Sequence, residues 1–248
     1  MTRDIKDILY FRQDISPFLV HLTRDDDEQF SPEEKLEKIL DTYQLIPGGG
    51  LVSDVRYGRR TTDISQQDLK RYFGAICFTE TPLNEVHCLL DISYRNINLS
   101  PYGLVFLKDR LIEKGVGPVL YINNVNADMD DVFTALSTLL ESHPNEAKKI
   151  LPMFSVFGQK IHPPGADGRP SGLVDFRWER EWRYPSAYGN LDFTAKDVFI
   201  GLCPHEKISY FDSLFNGIDF IDPCRNMKWY ATKLIAARQR LDLKYSVV

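Results

Sequence analysis

The sequence predicts an α+β protein in which residues 1–248 form a single mixed domain. Segments typical of strands and of helices alternate at uneven spacing, with neither an internal repeat nor a Pro/Ser-rich linker between them. No Gly-x-Gly-x-x-Gly motif follows a predicted strand, which argues against a doubly wound nucleotide-binding fold. Hydrophobic residues at 43% and charged residues at 26% are typical of a globular chain.

The N-terminal part contains one predicted strand and one well-capped helix. Residues Pro17–Thr23 form a short apolar run that is typical of a strand. Ser31 is placed to cap a helix, and Glu34 completes the Ser-x-x-Glu spacing of a capping box. The Pro-Gly-Gly-Gly sequence at 47–50 ends this segment, and the polar residues 51–71 are predicted to form a long surface excursion.

The rest of the chain alternates between short buried runs and segments with helical spacing of apolar residues. The predicted strands are Gly74–Thr79, Tyr102–Leu107, Gly117–Ile122 and Asp197–Leu202. Helices are predicted from Pro82 onward and over Lys108–Lys114, Met129–Leu140, His205–Phe215 and Tyr230–Leu241. Residues 163–170, rich in Pro and Gly, are predicted to be a loop.

Composition and charge exclude several classes of protein. The net charge of −5 and the pI near 5.6 argue against a general nucleic-acid binder, because such proteins carry more basic than acidic residues. No run of about 18 apolar residues is present, so no membrane span is expected, and the first residues do not fit a secretory signal. The four cysteines lack the spacing of a zinc site. We therefore expect a cytoplasmic protein that binds no metal.

The most unusual segment is DFRWEREWRYPS, residues 175–186, which we predict to be a strand. With period two, one face carries four aromatic residues interrupted only by Arg180, and these are Phe176, Trp178, Trp182 and Tyr184. The other face carries Arg177, Glu179, Glu181 and Arg183. One of the two carboxylates would bind a sugar hydroxyl while the other stabilises an oxocarbenium-like transition state. Arg183 would bind a phosphate with two parallel hydrogen bonds. The alternative is a charge ladder on an exposed sheet, which contributes little.

Two further groups of residues are candidates for binding a ligand. His21 and Thr23 share one face of the first predicted strand, where they either reach a ligand or are satisfied within the core. Tyr102 would stack on a flat ring and Thr79 would donate a hydrogen bond, although ordinary strand packing is the favoured interpretation of both residues.

Four motifs, taken in order, resemble the AbiGi-type abortive phage resistance family. They are the His-x-Thr strand at 21–23, ICFTETPLNEVH at 76–87, YGLVFLKDRLIEKGVGPVLYIN at 102–123 and EREWRYP at 179–185. The resemblance covers about residues 18–202, and a C-terminal helical extension is expected over about 203–248. It implies a role as the antitoxin-like half of a bacterial abortive-infection system.

In pattern, the sequence is also similar to ADP-ribosyltransferase-like folds. This similarity implies a split β-sheet with flanking helices around an NAD cleft. It implies that His21 holds the nicotinamide ribose, Tyr102 stacks on nicotinamide and Glu181 is the catalytic carboxylate. Thr23, Glu179 and Arg183 would complete the nucleotide site, and the three catalytic candidates are expected to converge on one cleft.

Two functions follow from these resemblances. The first is an antiphage protein that binds NAD or a related nucleotide and cleaves the nicotinamide–ribose bond, as a transferase or a hydrolase. The second is a non-catalytic antitoxin that neutralises a partner toxin by direct binding. A nuclease is disfavoured, because neither a cluster of metal-binding acids nor a basic groove is visible in the sequence.

Overall fold

The structure, a computed structural model, is of mixed α+β type. It describes residues 12, 14–25, 29–48, 73–90, 92, 98–123, 130–157, 159–160, 173–174 and 176–243. The surface excursion predicted at 51–71 and the loop predicted at 163–170 lie outside these residues.

The strands are short apart from β1 and β4. In chain order they are β1 (Phe18–Arg24), β2 (Gln44–Leu45), β3 (Ala75–Thr79), β4 (Leu99–Leu107), β5 (Gly117–Pro118), β6 (Leu120–Asn123), β7 (Phe154–Phe157), β8 (Gln159–Lys160), β9 (Leu173–Val174), β10 (Glu181–Pro185), β11 (Leu191–Asp192), β12 (Val198–Leu202) and β13 (Phe220–Ile221). The strand predicted over Gly117–Ile122 is therefore two strands, because the chain changes pairing partner at Val119.

The α-helices are α1 (Pro32–Thr42), α2 (Lys108–Glu113), α3 (Asp130–Ser142), α4 (Pro144–Ile150), α5 (Ile208–Leu214) and α6 (Ala231–Arg240). Short 3₁₀ helices cover Leu83–Leu89, Leu151–Met153, Phe176–Glu179, Ser186–Tyr188, His205–Lys207 and Met227–Tyr230. The helix predicted from Pro82 is thus a 3₁₀ helix, whereas the other helix predictions are confirmed within a few residues.

Helix α1 starts where the sequence predicts, because its first turn satisfies its own backbone donors. The Ser31 hydroxyl accepts from the Glu34 backbone N–H at 3.3 Å, and the Glu34 carboxylate accepts from the Ser31 N–H at 2.8 Å. Leu36 and Leu40 are fully buried, so one stripe of the helix packs into the core.

The chain divides into two compact units, each assembled from separate stretches of sequence. The first unit contains Met1–Gln44, Phe78–Lys114 and Asp192–Val248, and the second contains Leu45–Cys77 and Gly115–Leu191. The C-terminal stretch is more than a helical extension, because β13 lies in it and pairs parallel with β12. Arg240 of α6 also donates to the Val198 and Phe199 carbonyls at 3.0 and 2.9 Å.

The first unit is built on a mostly antiparallel sheet with the strand order β13-β12-β4-β1-β3. Only the last two residues of β3 belong to this unit. Strand β1 pairs antiparallel with β4 over most of its length and with β3 at Val20↔Thr79. Phe106 on β4 makes edge-to-face contacts with Phe78 and Phe193, at centroid distances of 5.9 and 5.2 Å. The core of this unit is therefore largely aromatic.

Among the residues that the structure describes, the second unit contains three pairs of short strands. Strands β10 and β5 pair antiparallel, β6 and β7 pair parallel over four residues, and β8 and β9 pair antiparallel. The Ser186 N–H donates to the Gly74 carbonyl at 2.8 Å and fixes the chain just after β10. Tyr184 and Pro185 on β10 are buried.

Candidate functional site

The residues predicted from the sequence to form a site fall into both units. His21, Thr23 and Tyr102 belong to the first unit, whereas Glu179, Glu181 and Arg183 belong to the second. The convergence of His21, Tyr102 and Glu181 on one cleft stays a prediction.

His21 and Tyr102 lie on the same face of the sheet in the first unit. His21 pairs with Leu104 across β1 and β4, and Tyr102 lies two residues before Leu104, so the alternation of side chains places both rings on one side. The Thr23 hydroxyl donates to the Tyr102 carbonyl at 3.0 Å. The three residues predicted for this part of the site are therefore neighbours.

Gly103 allows the two strands to approach each other beside Tyr102. A Cβ atom at this position would lie 2.2 Å from the His21 carbonyl oxygen, which no side chain tolerates. The backbone after Tyr102 is thus held tightly against β1, and the ring of Tyr102 projects from a rigid base.

The hydroxyl of Tyr102 is held by a carboxylate that the sequence analysis does not identify. It donates to Glu33 Oε2 at 3.3 Å, and Lys207 Nζ donates to Glu33 Oε1 at 2.7 Å. Glu33 lies in the first turn of α1, where its charge also favours the helix dipole. The Glu33 and Lys207 side chains are 26% and 39% exposed, so this cluster is open to solvent.

The surroundings of Tyr102 disfavour the loss of its phenol proton. Burial raises the pKa of Tyr102 well above its usual value, and the charge of Glu33 and its hydrogen bond raise it further. The hydrogen bond to Glu33 likewise raises the pKa of Lys207. At neutral pH, Tyr102 is therefore a hydrogen-bond donor with an aromatic face, and it does not act as a base.

Glu33 and Lys207 carry no local sequence signal that links them to Tyr102. They are 69 and 105 residues away from it in the sequence. The capping box predicts that Glu33 lies in a first helical turn, but only the packing of α1 brings that turn to Tyr102.

In the second unit, the single strand predicted for DFRWEREWRYPS is wrong. Phe176–Glu179 is a 3₁₀ helix, Arg180 has a left-handed backbone with φ of 46°, and β10 begins only at Glu181. A left-handed residue interrupts the extended backbone, so the two-residue alternation does not continue through it. Glu179 and Glu181 consequently do not share a strand face, and Trp178 is 43% exposed rather than part of a core wall.

Arg183 is an interior residue that binds Glu181 and two backbone carbonyls. Its Nε and Nη2 donate to the two oxygens of Glu181 at 2.9 and 2.7 Å, and its Nη1 donates to Pro152 O at 2.7 Å and to Phe154 O at 2.9 Å. The side chains of Arg183 and Glu181 are 4% and 12% exposed. The alternative of an exposed charge ladder is therefore wrong for this pair.

The environment of Arg183 keeps its guanidinium charged. Burial lowers its pKa, but the nearby charge of Glu181 and the hydrogen bonds to it outweigh this effect and raise the pKa above its usual value. Four of its five N–H groups point to acceptors inside the unit. Phosphate binding by Arg183 stays a prediction, and a phosphate would have to replace these bonds.

Thr79, the candidate donor in the CFTETPL segment, is buried. Its hydroxyl lies 2.7 Å from that of Thr81, and both residues are less than 10% exposed. Next to them in sequence, Glu80 accepts from the buried Lys108 at 2.6 Å, and Lys108 also donates to the Ser16 carbonyl. These contacts stabilise the start of β1 and the end of β3.

Within the described part of the chain, no three His, Cys, Asp or Glu side chains come together in a group able to hold a metal ion. The helices of that same part are too short or too polar to cross a lipid bilayer. Comparison of the chain with protein-family models, with curated proteins and with solved structures finds no match.

Proposed function

We propose that this chain is an antiphage abortive-infection protein whose first unit binds NAD or a related nucleotide against the face of Tyr102. The setting in phage defence rests on the motif resemblance. The reaction proposed for the bound nucleotide is cleavage of the nicotinamide–ribose bond, in which nicotinamide leaves and water or an acceptor group bonds to the ribose in its place.

One observation carries the proposal of a nucleotide site. His21 and Tyr102 project from the same sheet face, and Tyr102 is fixed by Thr23 at its carbonyl and by Glu33 at its hydroxyl. An aromatic ring held in this way offers a flat surface for a base or a nicotinamide ring at a low cost in side-chain entropy.

Ligand titration tests this proposal. NAD and ADP-ribose are titrated calorimetrically into wild type, Tyr102→Ala and Tyr188→Ala, the last being a 48% exposed tyrosine of the second unit. The affinity should fall about fivefold or more in Tyr102→Ala, because stacking on an aromatic side chain contributes ~1–3 kcal/mol per base. It should stay unchanged in Tyr188→Ala. Failure of the wild type to bind either ligand would refute the nucleotide site.

A non-catalytic antitoxin is the second candidate, and it is favoured by the contacts of Glu181. The resemblance assigns catalysis to Glu181, yet both oxygens of this carboxylate accept from the buried Arg183. Release of nicotinamide from NAD separates the two candidates, measured by mass spectrometry with wild-type protein. Phage protection that persists without NAD consumption, and in the Tyr102→Ala variant, favours the antitoxin.

A further inference from the structure

Tyr102 is held at both ends by residues from other elements of the first unit. Thr23 on β1 bonds its backbone carbonyl, and Glu33 on α1 bonds its hydroxyl. The ring also packs against the buried Phe211 at a centroid distance of 6.1 Å. Of these contacts, only the one to Glu33 opposes rotation of the phenol about its side-chain bonds through a polar, directional interaction.

Glu33 can hold Tyr102 in this way because Lys207 binds its other oxygen. Oε2 faces the phenol and Oε1 faces the ammonium group, so each carboxylate oxygen has its own partner. In a glutamine, an NH₂ group takes the place of one of these two oxygens, and that group cannot accept a hydrogen bond from the donor that the oxygen served. The carboxylate, and not merely a polar side chain, is therefore required at this position.

We propose that Glu33 is the positioning residue of the nucleotide site: it sets the orientation of the Tyr102 ring, and Lys207 sets the orientation of Glu33. This inference rests on the proposed function, because the oriented ring is the surface on which the base or nicotinamide stacks. Glu33 acts through Tyr102. A change of Glu33, a change of the Tyr102 hydroxyl and a change of both should therefore weaken nucleotide binding by the same amount.

A double-mutant cycle with ADP-ribose as the probe tests the proposal. Glu33→Gln and Tyr102→Phe should each weaken binding about fivefold, the equivalent of one net hydrogen bond. The double variant should bind no more weakly than either single variant, because both break the same interaction. Additive losses of about 25-fold, or an unchanged affinity in either single variant, would overturn the assignment.

Glu37→Gln is the matched control. Glu37 lies one turn further along α1 and accepts from the Tyr210 hydroxyl at 2.7 Å, so the substitution breaks the same kind of bond on the same helix. Its affinity for ADP-ribose should equal that of wild type. An equal loss in Glu37→Gln would show that the charge of α1, and not the orientation of Tyr102, affects binding.

A second readout keeps this inference separate from the nucleotide proposal. The tyrosine ring carbons are labelled with ¹³C, and the Tyr102 resonance is assigned with Tyr102→Phe and followed to pH 11. Burial raises the pKa of Tyr102 most, and the charge and hydrogen bond of Glu33 raise it further. Tyr102 should therefore stay protonated in wild type and begin to lose its proton at lower pH in Glu33→Gln, which removes the part due to Glu33. In Glu37→Gln, only the Tyr210 resonance should change.

The two readouts give distinct outcomes. A Tyr102 resonance that responds equally in wild type and Glu33→Gln overturns the positioning role, whatever the ligand data show. A wild type that binds no nucleotide, with the expected NMR change in Glu33→Gln, refutes the proposed function and with it the role of Glu33 in that site, while leaving the contact itself confirmed.

Discussion

Replacing Glu181 by Gln tests whether the charged pair in the EREWRYP motif holds the second unit together. The substitution keeps the shape of the side chain but removes its charge. Arg183 would then remain 4% exposed with a full positive charge and no carboxylate opposite it. The two carbonyls of Pro152 and Phe154 cannot neutralise that charge, because they carry only partial charges.

The expected loss of unfolding free energy is about 3 kcal/mol. Breaking a buried ion pair by removing one partner costs about 3–5 kcal/mol. The lower end applies because Glu181 retains 12% exposure and Gln keeps one acceptor oxygen for Arg183. For a chain of this length, this corresponds to a decrease in Tm of about 6–12 °C.

Urea unfolding followed by circular dichroism measures this change. Glu146→Gln is the control, because Glu146 is an exposed carboxylate in the first turn of α4 in the same unit, and its loss should cost less than about 1 kcal/mol. The double variant Glu181→Leu/Arg183→Met should be more stable than Glu181→Gln, since it leaves no charge buried alone. A Glu181→Gln protein as stable as wild type would refute the reasoning.

Three other substitutions give measurable outcomes. Arg183→Lys should lower the free energy of unfolding by about 2 kcal/mol, because Lys lacks the planar guanidinium that donates to several acceptors. The affinity for ADP-ribose should be unchanged. A loss of affinity without a loss of stability would instead support phosphate binding by Arg183. Gly201→Ala should cost about 1–3 kcal/mol, because its Cβ would lie 2.2 Å from the Phe220 ring; a neutral result in urea unfolding would contradict this packing. Hydrogen bonds to Ser31 lower the pKa of Glu34 in the folded state. Wild type should therefore be more stable than Glu34→Gln above about pH 4.5, and this difference should disappear as the pH falls through the lowered pKa. An equal difference in unfolding free energy between wild type and Glu34→Gln at pH 7 and pH 3 would contradict this dependence of stability on the pKa of Glu34.

Features with a local physical cause could be predicted from the sequence. The capping box at Ser31 and the helical spacing over Met129–Leu140 depend on contacts within one or two turns, and α1 and α3 begin within a residue of the predicted positions. The shared face of His21 and Tyr102 follows from period two within two antiparallel strands, once their register is known.

Features decided by a single backbone angle or by distant packing could not be predicted. The left-handed backbone of Arg180 interrupts the extended conformation within EREWRYP. Arginine has no particular preference for this conformation, so the sequence does not predict it. The contact of Tyr102 with Glu33, and that of Glu33 with Lys207, depend on where α1 and the 3₁₀ helix at His205–Lys207 pack on the sheet. No pattern in the sequence encodes those positions locally.

The two carboxylate clusters differ in burial, and burial decides which of them is suited to bind a ligand. In the second unit, Glu181 and Arg183 are almost fully enclosed, and separating them would cost about 3–5 kcal/mol before any new contact forms. In the first unit, Glu33 and Lys207 are partly exposed, and a solvent-exposed ion pair contributes little to stability. A ligand can therefore bind beside Glu33 and Lys207 without breaking a buried ion pair, whereas a ligand that replaced Glu181 at Arg183 would have to break one. For this reason we expect nucleotide affinity to respond to changes at Tyr102 and Glu33, and stability to respond to changes at Glu181 and Arg183.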